Sequence, residues 1–151
     1  LVLSTLHTNT SVGAITRLKD MGVEPFLLAS GLQAVLAQRL VRVLCQHCKQ
    51  AHKPDHSECA VLGIEASAGL ELFRPQGCEH CAQTGYQGRS GIYEWLMIDE
   101  EFRRMIHRGA PESDLRDHAR RQYGSLRDDG VSRVLSGQTS LEELLRVTQA
   151  D

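Results

Sequence analysis

Two short motifs carry thiols at a spacing that metal chemistry uses. "CQHC" sets Cys45 and Cys48 two residues apart, and "CEHC" repeats the pattern at Cys78 and Cys81, with residues 49–77 between them. Two thiolates so spaced can turn onto one ion in a tight knuckle, and a second knuckle completes a tetrahedral four-thiolate site with Zn–S near about 2.3 Å. Gly77, Gly85 and Gly88 give the second knuckle turn-supporting surroundings. The spacing therefore predicts a structural Zn2+ held by Cys45, Cys48, Cys78 and Cys81. Disulfides or buried free thiols are the plainer alternatives. A thioredoxin-like redox role fits less well, because neither motif opens a helix in a βαβ context. His47 and His80 lie inside the knuckles as alternative ligands; with four thiolates at hand they read as exposed neighbours of the site. Cys59 has no pair and reads as an ordinary small residue.

A second stretch, "LVLSTLHTN", puts His7, Thr8 and Asn9 directly after an apolar run. In an open α/β sheet this is where ligands sit, at the carboxyl end of a strand. A histidine there can donate hydrogen bonds and change charge near neutral pH. The same residues have a plain explanation: Thr8, Asn9 and Thr10 are good caps for a helix that follows. The residue pattern alone leaves both readings of His7 open.

These groups need elements to hold them. Residues 1–6 read as a nearly continuous apolar strand of the buried kind. Val12, Ile15 and Leu18 then share a helical face over 12–22, and Gly22 is a plausible stop. Strand, polar turn and amphipathic helix make a βα unit. Pro25 suits a first helical turn, and Leu28, Leu32, Val35 and Leu36 continue at helical spacing, so a helix is expected over 25–37 and a strand over 39–44. Residues 45–91 read as irregular. Residues 91–98 read as a strand, with Tyr93, Trp95 and Met97 on one face and Ile92, Leu96 and Ile98 on the other. From Asp99 onward the pattern is helical, and Thr139 or Ser140 with Glu142 or Glu143 forms a capping-box pattern for the last helix.

Composition narrows the class. Hydrophobic residues are 41% and charged residues 24%, as in globular domains. Lys and Arg number 17 against 19 Asp and Glu, for a net charge of −2, which argues against a general nucleic-acid binder. The longest apolar stretch, Pro25 to Leu44, is interrupted by Gln33, Gln38, Arg39 and Arg42, so no membrane span is expected.

Taken in order, "LVLSTLHTN", "RLKDMGVEPFLLAS", "LAQRLVRVLC", the paired CxxC motifs, "GYQGRSGIYEWL" and "TSLEELLRVT" closely resemble the type II secretion ATPases, with the type IV pilus assembly ATPases as near relatives. The resemblance covers essentially the whole chain. It implies an α/β fold: the C-terminal part of a RecA-like P-loop ATPase core over residues 1–44, an inserted tetracysteine zinc arm over 45–90, and a strand with a C-terminal helical subdomain over 91–151. It identifies "HTN" as the family's His box, so that His7 faces the γ-phosphate of ATP in a catalytic role, with Thr8 and Asn9 beside it. Arg39, in the "QRL" segment, is implied as a nucleotide or subunit-interface contact; for Arg39, Arg42 and Arg89 the alternative is pairing with an acidic neighbour. ATP and Mg2+ are the implied ligands of the intact protein. A homo-hexamer and the inner-membrane platform proteins of the secretion system are the implied partners. The implied place is cytoplasmic, peripheral at the inner membrane of a Gram-negative bacterium, where hydrolysis drives pseudopilus assembly and protein export.

Phosphoryl transfer needs a phosphate cradle and a magnesium site. No GxxxxGK[ST] segment occurs, and "GYQGRSG" lacks the Lys-Ser/Thr ending. A strand-terminal acid for magnesium is also missing. The expectation is a part of a longer ATPase that is inactive alone, with an exposed apolar edge at Leu1 to Leu6. A self-standing zinc-ribbon binding module is the alternative from another class. The interval between the knuckles, with Phe73 as its one aromatic and several acids, argues against a nucleic-acid version of it.

Overall fold

The computed structural model describes residues 1–65, 67 and 69–148 of the chain, which folds as two compact units. The first comprises Leu1–Gln38 and Tyr93–Leu126; the second comprises Arg39–Ile92 and Arg127–Asp151. Two long strands, β1 (Ala34–Leu44) and β4 (Tyr86–Met97), pair as a two-stranded sheet. Backbone bonds from Ile98 N–H to the Gln33 carbonyl (3.0 Å) and from Cys45 N–H to the Gly85 carbonyl (2.9 Å) bracket the ladder, so the strands run in opposite directions.

In the first unit, α1 (Ser11–Asp20) and α2 (Pro25–Gly31) join α4 (Glu100–His107) and α5 (Glu112–Tyr123). Val12, Ile15, Leu28, Leu96, Phe102 and Ile106 centre its core. Pro25 occupies the first turn of α2, as its fixed φ favours. That helix stops at Gly31, however, and the strand begins at Ala34 rather than 39. Leu32 is already extended, with ψ 127°. The helical spacing of Val35 and Leu36 loses to ladder pairing with β4: Val35 turns into the core and Leu36 faces outward. The expected two faces appear on β4, with Ile92 and Leu96 buried and Tyr93, Trp95 and Met97 exposed; Ile98, just past its end, is also buried, and the strand starts five residues earlier than its pattern suggests.

Residues 1–8 form no strand. A strand needs ladder partners for its N–H and C=O groups, and none of the described strands lies against them. Leu1, Val2 and Leu3 are fully exposed, at 108%, 89% and 87%, which is the apolar edge that the sequence predicts.

The second unit corrects the expectation of an irregular arm. There β2 (Gln50–His52) pairs antiparallel with β3 (Leu72–Arg74), with Ala51 opposite Phe73. Between them α3 (His56–Leu62) starts on a full capping box formed by Asp55 and Glu58. Glu58 also binds His52 Nε2 (3.0 Å) and Arg74 Nη2 (2.9 Å), tying helix to sheet. Cys59, Leu62 and Leu72 are buried. The helices α6 (Leu126–Leu135) and α7 (Leu141–Thr148) follow, the latter with the Ser140 hydroxyl accepting the Glu143 N–H (3.2 Å). Their connecting loop docks along β1, with Leu44 N–H on the Gln138 carbonyl (2.9 Å) and the Thr139 hydroxyl on the Arg42 carbonyl (2.8 Å). No described helix is long and apolar enough to cross a membrane.

Candidate functional site

β1 ends at Leu44, and the chain turns at once into the first knuckle. Cys48 and Lys49 both return their N–H groups to the Cys45 carbonyl (3.3 and 3.0 Å). The second knuckle opens after Gly77, whose φ is +103°; a Cβ there would lie 2.7 Å from the Gln83 carbonyl oxygen, so only glycine fits the turn. Cys78 then leads into a single 3₁₀ turn over Glu79–Cys81.

These two turns bring the four predicted thiols together. The Sγ atoms of Cys45, Cys48, Cys78 and Cys81 all lie within 4.8 Å of one another. The edges Cys45–Cys78, Cys48–Cys81 and Cys78–Cys81 measure 3.9, 3.8 and 3.8 Å. A tetrahedron with Zn–S of about 2.3 Å has edges of about 3.8 Å, which these three edges match. They are too far apart for disulfides, whose S–S bond is about 2.05 Å. The backbone N–H groups of Cys78 and Gly85 both point at Cys81 Sγ from 3.2 Å. Desolvation works against ionisation of Cys81, but those two donors and the neighbouring thiols bring its pKa down to about 6. At Cys48 desolvation dominates, and hydrogen bonds to the other thiols help push the pKa up to about 12. Four thiolates in one place need a cation, and the donor set suits Zn2+. His47 and His80 are exposed and stack on each other with ring centroids 4.2 Å apart, leaving the four sulfurs as the site.

The His7 segment forms a turn leading into α1. Thr10 is the N-cap, its hydroxyl accepting Gly13 N–H at 3.0 Å, and the Thr8 hydroxyl donates to the Thr10 carbonyl (3.3 Å). Capping thus accounts for the threonines. His7 and Asn9 are exposed. Ser11, fully buried at 0%, gives its N–H to Glu94 Oε1 at 2.8 Å, and its hydroxyl binds the same oxygen. Glu94 is not among the site residues expected from the sequence; its signal is that of an acid on the inward-facing side of an apolar strand, between Ile92 and Leu96.

The arginines of β1 have partners within the second unit. Arg42 donates to the Glu143 carboxylate through its backbone N–H (2.9 Å) and its guanidinium (2.8 and 2.7 Å) and lies over the Tyr86 ring at 4.0 Å. Arg39 donates to the Val147 carbonyl. Arg89 is exposed beside a cavity that Leu40, Arg42 and Arg146 also line.

The sequence has relatives among known proteins. A family model described as "Type II/IV secretion system protein" covers residues 1–146. The chain is 54% identical over 151 residues to type II secretion system protein E of Pseudomonas aeruginosa, covering 100% of this chain and 30% of that protein. It is 52% identical over 151 residues to the Aeromonas hydrophila protein of the same name, again with 100% and 30% covered. It is 49% identical over 149 residues to type II secretion system ATPase E of Vibrio cholerae, with 99% and 30% covered. The chain thus spans about 30% of the length of the curated relatives it matches. A match over nearly every residue, joined to the four converging cysteines, places the chain in the type II/IV secretion system protein family.

Proposed function

We propose that this chain is the C-terminal part of a RecA-like P-loop ATPase that powers type II secretion. The observation that carries this reading is the 49% identity, across 99% of the chain, to a Vibrio cholerae relative named for ATPase activity. In this reading residues 1–44 complete the ATPase core, residues 45–90 form the zinc arm, and residues 91–151 form a strand and helical subdomain. The phosphate cradle and magnesium site lie in the remaining length of the protein. The whole protein works as a cytoplasmic hexamer against the inner-membrane platform, and hydrolysis drives pseudopilus assembly and export.

His7 is the residue assigned to the nucleotide. Its exposed imidazole donates an N–H to a γ-phosphate oxygen and helps hold the charge that the loose transition state spreads over the transferring phosphoryl group. The backbone at the head of α1 is poorly placed for that task, because Thr10 and Glu94 already hold the N–H groups of Gly13 and Ser11. Phosphate contacts therefore fall to side chains: His7 and Asn9 as donors, and Thr8 as their neighbour. Arg39 contacts nucleotide or the adjacent subunit in the assembled state, where it would exchange its bond to the Val147 carbonyl. Zinc on Cys45, Cys48, Cys78 and Cys81 supplies four thiolate bonds and no open coordination position, so its part is structural.

Purified full-length protein should hydrolyse ATP in the presence of Mg2+, and the 151-residue chain alone should not. Turnover by the chain alone, or none by the assembled full-length protein, would overturn the proposal.

A further inference from the structure

Glu94 is an acid on the apolar side of its strand. Ile92, Leu96 and Ile98 share that inward face and are buried, whereas Tyr93, Trp95 and Met97 point outward. A carboxylate placed there must find donors, because burying one without hydrogen bonds is costly. Its donors come from helix beginnings. Oε1 takes both the N–H and the hydroxyl of Ser11, the first residue of α1, and Oε2 takes the N–H of Leu126 at 3.4 Å.

Helix α1 does not need Glu94 in order to start, since Thr10 already caps it. What Glu94 adds is location: it fixes the point at which α1 begins against β4. From that point a run of bonds leads back along the chain. The Thr10 hydroxyl accepts Gly13 N–H, and the Thr8 hydroxyl closes on the Thr10 carbonyl. His7 is the next residue. Its own side chain is exposed, so the direction in which it projects is set by this turn and by the anchor behind it.

We infer that Glu94 is a positioning residue for His7, holding the head of α1 on β4 so that the imidazole is presented at a fixed angle to the phosphoryl group. This rests on the assignment of His7 to ATP hydrolysis. A cap that served only stability would change the amount of folded enzyme and leave the behaviour of each folded molecule alone. A positioning residue acts on turnover through His7, and loses its effect once His7 is gone.

The test uses the full-length ATPase with His7→Ala, Glu94→Ala, Glu94→Gln and the double variant His7→Ala/Glu94→Ala. Glu94→Ala should lower kcat about tenfold or more while KM for ATP stays within about twofold. Glu94→Gln, whose amide oxygen can still accept from Ser11, should recover part of that loss. The double variant should be no slower than His7→Ala alone, the non-additivity expected of residues acting as one unit. Should Glu94→Ala fail to fold, Glu94→Gln and Ser11→Ala carry the same comparison. Unchanged turnover in the Glu94 variants, or losses that multiply with that of His7→Ala, would overturn the inference and leave the His7 assignment standing. Unchanged turnover in His7→Ala would remove the assignment itself, and the inference with it.

Discussion

The carboxylate of Glu143 receives both the backbone N–H of Arg42, at 2.9 Å, and its guanidinium, at 2.7 Å, so that helix α7 is bolted to strand β1 by one fully buried acid. Arg146, one turn along the same helix, closes on the other side at 2.7 Å. Desolvation pushes the Glu143 carboxyl up, but hydrogen bonds from Arg146 and Arg42 outweigh it and bring the pKa from the usual 4.5 to about 2.

A depressed carboxylate pKa stabilises the fold above the unfolded value and loses that effect as pH falls through the folded one. The contribution of Glu143 should therefore be complete above about pH 5 and decline between about pH 4.5 and 2. Glu143→Gln should cost about 1.5–3 kcal/mol at pH 7, since the buried side chain loses its charge-assisted bonds while the guanidiniums of Arg42 and Arg146, at 39% and 57% exposure, stay in reach of water. Urea unfolding at pH 7, 4 and 3 checks both points. The variant should show a flatter dependence on pH over that range than the parent chain; an equal slope in the two proteins would contradict the assignment.

Removal of metal should act on the second unit. Metal analysis of the purified chain should give about one zinc per chain, and Cys78→Ser should abolish stoichiometric binding. Cys59→Ser should leave it intact, because Cys59 is buried in α3 and takes no part in the four-sulfur cluster. Chelation should loosen the two knuckles and with them β2 and β3, because a four-thiolate ion is itself part of the folding free energy. Hydrogen exchange before and after chelation checks this, with loss of protection expected across 45–52 and 72–86.

The cysteine site is legible because two knuckles at matched spacing leave few other arrangements; each knuckle is a local turn, and the ladder bond from Cys45 to Gly85 sets the two side by side. The terminal helices were legible for a similar reason: Phe102, Met105 and Ile106 repeat at a helical period, and that period alone decides which face is buried. Residues 32–38 are ambiguous in the sequence, because Val35 and Leu36 satisfy a helical period as well as a strand, and pairing with β4, some sixty residues away, decides between them. The arm looks irregular in the sequence, although "DHSE" spells a capping box, which Asp55 and Glu58 make in full. In the sequence Glu143 is one of two candidates, with Glu142, for the acid of a capping box. Its bonds to Arg42 depend on a contact across about a hundred positions that no local pattern encodes.

His7→Ala separates function from stability. The side chain is exposed, so its removal should change the unfolding free energy of this chain by less than about 0.5 kcal/mol. In the full-length protein the same change should lower ATP turnover by about a hundredfold, within the range that one well-placed hydrogen-bond donor contributes. Steady-state ATP hydrolysis beside thermal unfolding checks the pair of outcomes. Loss of both in proportion would return His7 to a structural role.

Gly130 lies in the middle of α6, where helix propensity alone would favour alanine by about 1 kcal/mol. The packing opposes it. A Cβ at this position would meet Leu144 Cδ1 at 2.2 Å, and Leu144 is buried at 1% exposure, so it has no open space to turn into. Overpacking of that kind costs about 1–3 kcal/mol, which exceeds the gain in propensity, so Gly130→Ala should destabilise the chain. Truncating the obstacle should reverse the sign. In a Leu144→Ala background, itself weakened by about 2–5 kcal/mol, the added methyl enters the space the leucine vacated, and Gly130→Ala should become neutral or stabilising. Chemical unfolding of the two single variants and the double variant checks the reversal; additive losses would show that Leu144 is not what excludes a side chain at Gly130.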